Sequence, residues 1–389
     1  MASLSSPMAE KKHLSPSKSM PAFGCNDTPE NDIDSFFRYP QPKYKSPFDD
    51  DPEIQRVMKE EINEKPETRD AAIRELREFL LDHPEIRNPR LDAPFLLRFL
   101  RMQKFDVNKA KKTVEKYLKL RCEEARWYRG LDIQETRLNE ILSDGTVFAL
   151  PGKDRSGSRV LFHIAKRLDL TRFTMDDLIR AVLLTMETLL TDESVSVNGL
   201  KYILDFSDVY VNYVLIWSPT DFQKALTSGE KSFPLRHKQI VAGNPPIGFW
   251  IMYEIVKAVM SSKLRKRLTT GQLTPDMLLA QIPAENLPKE YGGTRELSDI
   301  IDAWKEECFQ ARDHVLSLDR IIAPVRRRWN IFASITNWIG AVPAGVFQKV
   351  APCLASNMEL VKVADSAAKS GDDGWKTHML DYIAQKNLV

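Results

Sequence analysis

Apolar residues recur with two different spacings along the chain, and the change in spacing divides it into two structured segments. Between residues 69 and 81 they recur every three to four positions, the period of a helix with one buried face. Two further helices are predicted to begin after Asp92 and Asp106, because an Asp side chain accepts hydrogen bonds from the free N–H groups at a helix start. The first segment is therefore predicted to be a domain of three helices that spans residues 52–130.

The second segment, residues 140–310, alternates short strands with helices. Apolar runs rich in β-forming residues predict strands at 160–164, 200–206 and 238–242. A helix start is predicted at Thr174, where Asp177 follows three residues later in the arrangement of a capping box. Strands that alternate with helices are typical of the α/β class, which is the fold class predicted for this segment.

The two ends of the chain have a different composition. Residues 1–51 are rich in Ser and Pro and show no sustained apolar periodicity, so they are predicted to be a disordered tail. In the C-terminal extension, residues 320–389, a basic triplet precedes twenty uncharged residues, 329–348. The apolar members of this stretch share one helical face. An amphipathic helix packed on the protein, or lying at a membrane interface, fits that pattern better than a membrane span.

Charge and motif content narrow the class of function. Lys and Arg number 56 and Asp and Glu number 54, so the net charge of +2 argues against a general nucleic-acid coat. The first twenty residues contain no apolar signal run, which favours a cytosolic location. The sequence contains no HExxH zinc motif, no GxSxG nucleophile motif and no complete phosphate-binding loop. We therefore expect a protein that is not an enzyme and that uses no metal or cofactor.

Residues 247–268 combine an apolar stretch with a strongly basic end. The apolar positions include Ile247, Trp250, Ile251, Tyr253, Val256 and Met260. Lys263 and Arg267 follow four residues apart on one helical face, and Arg236 and Lys238 lie upstream on one face of a predicted strand. One interpretation is a core helix whose cationic end is solvated and favoured by the helix dipole. The other is a helix that covers a hydrophobic cavity and contacts a membrane.

Five stretches of the chain resemble, in order, landmarks of the CRAL-TRIO lipid-binding family. They read DAPFLLRFLRMQKFDVNKA, GSRVLFHIAKR, NGLKYILDFSDV, SFPLRHKQIVAGNPPIGF and IPAENLPKEYGG. The resemblance covers residues 70–310 and is strongest to the tocopherol-transfer and retinaldehyde-binding branch. It implies three N-terminal helices and then a mixed sheet flanked by helices. In that fold the sheet floors an apolar cavity beneath a mobile helical gate, which matches residues 247–268 here.

The same resemblance implies a lipid carrier that docks on phosphoinositide membranes. The cationic positions of the family's headgroup site match Arg101, Arg236, Lys238, Lys263 and Arg267. For Arg101 an alternative role is to tie the helical domain to the core. The expected partners are a lipophilic small molecule and phosphoinositide-containing membranes, with no nucleic acid. The protein is expected in the cytoplasm and peripherally on membranes, with endosomes as one candidate.

Two departures from the family pattern bear on the cargo. Lys224 stands where members that carry phosphatidylinositol have a Glu, although Lys257 matches their Lys, so phosphatidylinositol is disfavoured as buried cargo. Val182 and Met186 stand where tocopherol-binding members have small hydroxyl side chains, so tocopherol is a candidate without its usual polar partners. The candidate cavity residues are Val182, Met186, Phe206, Ile216, Trp217, Phe222, Phe233 and Phe249.

The sequence thus predicts a carrier that binds a tocopherol-like, retinoid-like or other hydrophobic ligand and transfers it between membranes. The alternative belongs to another class of protein. It is a signalling or trafficking adaptor that senses phosphoinositides, binds proteins through its tails and keeps a lipid only as a structural element.

Overall fold

The computed structural model describes residues 43–209, 219–245 and 260–324. Chain contacts separate residues 1–45 from residues 46–389. Of the first unit the structure describes only 43–45, which carry no regular secondary structure. All the helices and strands below belong to the second unit.

The N-terminal part of this unit is helical, as predicted, and the caps that the sequence indicated begin its helices. Asp92 accepts a hydrogen bond from the Phe95 N–H at 3.1 Å, and Asp106 accepts one from the Lys109 N–H at 3.0 Å. The three predicted helices are present, and three further helices accompany them. The helices of this part are α1 (Pro52–Ile62), α2 (Pro66–Leu81), α3 (Ala93–Met102), α4 (Val107–Glu123), α5 (Ala125–Tyr128) and α6 (Thr136–Ser143).

A mixed sheet of five strands follows, in the order β1-β2-β3-β4-β5. The strands are β1 (Val147–Lys153), β2 (Arg159–Ile164), β3 (Leu200–Asp205), β4 (His237–Gly243) and β5 (Leu268–Gly271). β1 pairs with β2 in antiparallel fashion, and all the other pairs are parallel. The three predicted strands are confirmed as β2, β3 and β4. The fold class is therefore confirmed as α/β with a mixed sheet.

Helices connect the parallel strands and close the C-terminal side. The predicted capping box is present: Thr174 N–H donates to Asp177 at 2.8 Å, and Asp177 N–H donates to the Thr174 hydroxyl at 3.3 Å. It begins the helix that lies between β2 and β3. The helices of this part are α7 (Met175–Leu189), α8 (Glu193–Asn198), α9 (Pro219–Lys231), α10 (Ser262–Arg265), α11 (Pro275–Leu279), α12 (Leu297–Gln310) and α13 (Arg312–Ser317).

A buried ionic cluster joins the N-terminal helices to the sheet domain. Glu187 on α7 is fully buried and accepts hydrogen bonds from Tyr117 at 2.5 Å and from Arg121 at 2.9 Å, both on α4. Burial, reinforced by the Glu187 charge, raises the pKa of Tyr117 well above its ordinary value. The phenol therefore stays protonated and keeps donating. Because a buried carboxylate is costly without partners, this contact fixes α4 against α7.

Within residues 43–209, 219–245 and 260–324 no helix has both the length and the apolar character that a membrane span requires. The predicted amphipathic helix at 329–348 lies outside the described residues, as do most of the N-terminal tail and the stretch 246–259.

Candidate functional site

Four of the predicted cations lie where β4 and β5 begin. Arg236 and Lys238 flank the first residue of β4. Lys263 lies on α10, which ends at Arg265, and Arg267 directly precedes β5, so the prediction that Lys263 and Arg267 share one helical face is wrong. The two strands are adjacent and parallel, and the Ile240 N–H donates to the Arg267 carbonyl at 2.9 Å. Parallel neighbours bring their amino ends to one edge of the sheet, so the four side chains share that edge.

Like charges act on one another in this group, which we call the cation cluster (Arg236, Lys238, Lys263 and Arg267). Lys263 is exposed and makes no hydrogen bond or ion pair with any residue that the structure describes. Partial burial and the like charges of Arg267, Lys104 and Arg236 lower its pKa. Lys104, in the loop after α3, is thus a neighbouring exposed cation that the sequence did not indicate. The cluster has an excess of positive charge and an accessible member.

A carboxylate from α1 reaches into the cation cluster. Glu61 Oε2 accepts a hydrogen bond from Arg236 Nη2 at 2.7 Å and another from Lys238 Nζ at 2.5 Å. Although burial raises it, these bonds hold the pKa of Glu61 below its ordinary value. Arg236 also donates to the Val197 carbonyl at the end of α8. Two of the four cations therefore hold an internal anion.

Arg101 occupies a different environment from the other four predicted cations. Its side chain is fully buried, and its guanidinium donates to Glu64 at 2.9 Å, to Glu193 at 3.0 Å and to the Ser196 hydroxyl at 2.9 Å. Glu64 follows α1, whereas Glu193 and Ser196 belong to α8. This geometry matches the alternative role, in which Arg101 ties the helical part to the sheet domain. Its place in a headgroup site stays a prediction, and it would require these carboxylates to be released.

One face of the sheet is the candidate floor of a cargo cavity. Strand register places on this face the side chains of Leu161, His163, Tyr202, Leu204, Ile240, Ala242, Leu268 and Thr270. Tyr202, Leu204 and Ile240, at its centre, are only half-buried. On the opposite face, Ile203 and Val241 line a small pocket together with Leu278 of α11. On the first of these faces, which we call the cargo face, Tyr202, Leu204 and Ile240 therefore present surface that is only partly buried.

Tyr202 brings a hydroxyl group to this apolar face. His237 Nε2 lies 2.9 Å from the Gly229 carbonyl, which can only accept, so this nitrogen carries the proton. Burial lowers the pKa of His237, which keeps the ring neutral, and its Nδ1 accepts from the Tyr202 hydroxyl at 2.7 Å. Burial also raises the pKa of Tyr202. The neutral phenol oxygen keeps acceptor capacity for a polar group of a bound ligand.

His163, on the same face, is a packed core residue. Its Nδ1 donates to the Thr146 carbonyl at 2.8 Å, and burial lowers its pKa to about 4. Phe206, one of the predicted cavity residues, packs edge-on against it with ring centroids 6.4 Å apart. This bond and the burial hold a neutral imidazole within the core.

The remaining predicted cavity and gate residues lie in different environments. Val182 is half-buried and Met186 is buried on α7. Phe233 is fully buried against Tyr117, with ring centroids 5.8 Å apart, so it packs against the N-terminal helices. Met260 is also buried. The residues Ile216, Trp217, Ile247, Phe249, Trp250, Ile251, Tyr253 and Val256, and the side chain of Phe222, lie outside the described residues.

Lys224 is the residue on which the prediction against phosphatidylinositol as cargo depends. Its ammonium group pairs with Glu124, at the end of α4, at a distance of 2.9 Å. The position that carries a Glu in phosphatidylinositol carriers therefore contributes a cation here, and that cation is engaged by the helical part. Lys257, the matching Lys, lies outside the described residues.

Comparison with known proteins decides the family. A family model for the CRAL/TRIO domain matches residues 143–293, and one for a Pinta-like UBA domain matches residues 65–138. Clavesin-1 from Xenopus laevis is 30% identical over 234 residues, which cover 60% of this chain and 70% of that protein. The chain belongs to the CRAL/TRIO family. Clavesin-2 from Rattus norvegicus is 29% identical over 242 residues, which cover 62% of this CRAL/TRIO chain and 74% of that protein.

Among solved structures, the crystal structure of Sfh5 aligns with 69% of this chain and 98% of its own, with a TM-score of 0.43 and 14% identity. Membership of the CRAL/TRIO family confirms the family prediction and makes lipid binding and transfer the general class of function. Placement in the tocopherol-transfer and retinaldehyde-binding branch stays a prediction.

Proposed function

We propose that this CRAL/TRIO protein carries a small hydrophobic ligand on the cargo face of the sheet and docks on phosphoinositide membranes through the cation cluster. The observation that carries the docking proposal is the convergence of four cations at one edge of the sheet, where only Arg236 and Lys238 pair with Glu61 and Lys263 stays exposed. Such an excess of positive charge at one edge of a sheet attracts a phosphorylated headgroup. Each basic group near an anionic membrane contributes about 1 kcal/mol to binding.

Docking addresses the main physical difficulty of a lipid carrier. A ligand with about 400 Å² of apolar surface gains on the order of 10 kcal/mol on burial, at about 25 cal/mol per Å². Release into water would lose that free energy. A membrane held against the protein offers an apolar destination, so the ligand passes from cavity to bilayer without crossing bulk water.

The cargo face favours a ligand with an apolar body and one polar end. Leu204 and Ile240 offer apolar contact area, and the Tyr202 hydroxyl offers one hydrogen-bonding group near the amino end of β4. Tocopherol-like and retinoid-like molecules have this chemistry, in keeping with the branch that the sequence resembles. Val182 and Met186 add apolar surface on α7.

The rest of the chain is assigned to supporting roles in this proposal. Residues 52–130 form the helical domain and 140–310 the lipid-binding domain, with tails at 1–51 and 320–389. The protein works in the cytoplasm and associates peripherally with membranes, endosomal membranes being one candidate. No catalytic step is part of the proposal.

The experiment is the identification of what the protein carries. The full chain is purified from cells without added lipid, extracted with solvent and analysed by mass spectrometry. The proposal expects about one lipophilic molecule per chain, exchangeable for labelled tocopherol or retinoid. No bound lipophile, together with no uptake of either label, would contradict the carrier function and favour the phosphoinositide-sensing adaptor.

A further inference from the structure

The end of α1 is held in place mainly by apolar contacts. Met58 and Ile62 are buried against Val197 of α8, and Asp51 caps the start of the helix through the Glu53 and Ile54 N–H groups. Glu61 lies one residue before the end of this helix, and its side chain is 44% exposed. The carboxylate is therefore presented at the surface, and its bonds to Arg236 and Lys238 are a polar tie between the last turn of α1 and the sheet edge.

The Glu61 carboxylate fills the place that a phosphate oxygen would take. A single oxygen, Oε2, accepts from both Arg236 and Lys238, as a phosphate oxygen between two cations does. The Arg236 side chain is only 12% exposed and its other terminal nitrogen donates to the Val197 carbonyl. A headgroup phosphate thus meets Arg236 and Lys238 in full only after Glu61 has moved away.

We propose that Glu61 is an internal competitor of the membrane headgroup: docking exchanges its carboxylate for phosphate oxygens on Arg236 and Lys238 and releases the last turn of α1. This inference rests on the proposed docking function. The exchange is favourable because a half-exposed carboxylate pair is weak, whereas a phosphate carries up to two charges and is also within the field of Lys263 and Arg267. Because Glu61 must be displaced before the headgroup binds, a membrane that carries little negative charge does not dock.

The test compares Glu61→Gln with Glu60→Gln in the full chain. Both variants remove one negative charge from neighbouring exposed positions of α1, but only Glu61 contacts the cation cluster. Binding is measured at low salt to phosphatidylcholine vesicles with and without phosphatidylinositol bisphosphate. We expect Glu61→Gln to bind phosphoinositide vesicles about three- to tenfold more tightly than the native protein, as one freed charge requires, and Glu60→Gln to change affinity less than about twofold. Plain phosphatidylcholine vesicles should not distinguish the proteins.

The double variant Arg236→Ala/Lys238→Ala distinguishes two outcomes: the proposal that Glu61 competes with the headgroup is wrong, or the docking proposal is wrong. If this double variant loses vesicle binding but Glu61→Gln binds no better than Glu60→Gln, the competitor is refuted and docking stands. If the double variant binds as well as the native protein, docking through the cation cluster is itself wrong.

Hydrogen exchange supplies a second readout, which needs no variant. In the native protein, amides of residues 58–62 should exchange faster on phosphoinositide vesicles than on plain ones, because docking releases the turn. The same amides in Glu61→Gln should exchange equally fast on both kinds of vesicle. Unchanged or slower exchange of 58–62 in the docked native protein would refute the competitor, even if Glu61→Gln proved unstable.

Discussion

The buried cluster around Arg101 and the cation cluster at the sheet edge use the same side-chain chemistry for opposite purposes. Arg101 is buried and meets two carboxylates and a hydroxyl, so its charge is neutralised and its donors are committed. In the cation cluster, Arg236 and Lys238 share one contacting carboxylate, Glu61, whereas Lys263 stays exposed. The difference teaches that the balance of charge around an arginine, more than its presence in a motif, separates a structural tie from a candidate binding group.

The largest effect is expected when the buried cluster is broken. Arg101→Ala leaves Glu64 and Glu193 without their shared partner, and breaking a buried ion pair costs roughly 3–5 kcal/mol. Urea denaturation should show this loss of stability, with Lys238→Ala as the surface control at about 1 kcal/mol or less. An Arg101→Ala protein that keeps native stability and loses vesicle binding would move Arg101 into the headgroup site.

Acid should weaken the buried core before the sheet edge. His163 is neutral in the folded protein with a pKa of about 4, whereas in the unfolded chain its pKa returns to about 6.5. Between these values the unfolded chain binds more protons, so stability falls as the pH drops through this window, by about 3 kcal/mol in total. His163→Gln keeps a donor for the Thr146 carbonyl but cannot titrate. Its denaturation midpoint should depend less on pH from 6.5 to 4; equal dependence would exclude His163 as the cause.

At the sheet edge the effect that decides the comparison is on binding. Arg236→Ala with Lys238→Ala removes two charges worth about 1 kcal/mol each, so affinity for phosphoinositide vesicles should fall roughly tenfold or more. Sedimentation with vesicles at low and high salt measures it, and the difference from the native protein should shrink as salt screens the charges. Uptake of a hydrophobic ligand from detergent should survive. Equal vesicle binding at low salt would place the docking surface elsewhere.

The smallest effect concerns the polar end of the cargo. Tyr202→Phe keeps the ring but removes the hydroxyl that donates to His237 and can accept from a ligand, so a ligand with a hydroxyl group should bind about fivefold more weakly, at about 1 kcal/mol per hydrogen bond. A hydrocarbon ligand of similar size should bind equally to both proteins. Fluorescence titration with the two ligands measures the affinity of each protein for each ligand. If Tyr202 does not face the cargo, the substitution changes neither affinity.

The sequence predicted the elements whose signals are local. β2, β3 and β4 follow from continuous apolar runs, and the starts of α3 and α4 follow from Asp92 and Asp106. β1 was not predicted because Pro151 and Gly152 interrupt its pattern, and β5 was not because four residues give no periodicity. Both are fixed by pairing with a neighbouring strand.

The site could be predicted only in part, because its decisive contacts join distant parts of the chain. Four of the five cations of the family pattern do meet at one edge. Glu61, however, lies 175 residues before Arg236, and no local pattern announces that pairing. The burial of Arg101 likewise depends on Glu193, 92 residues away. Lys104 was missed because a single loop lysine has no distinguishing signal until folding places it near Lys263.

The central claim is that the cation cluster couples membrane recognition to release of a hydrophobic ligand. The most direct test measures ligand transfer between vesicles, with and without phosphoinositide in the acceptor, for the native protein and for Lys263→Ala/Arg267→Ala. We predict that phosphoinositide accelerates transfer by the native protein, and that the double variant loses this acceleration while its equilibrium affinity for ligand stays close to native. Equal transfer rates for both proteins on both membranes would contradict the account and leave these cations as a solvated edge of the sheet.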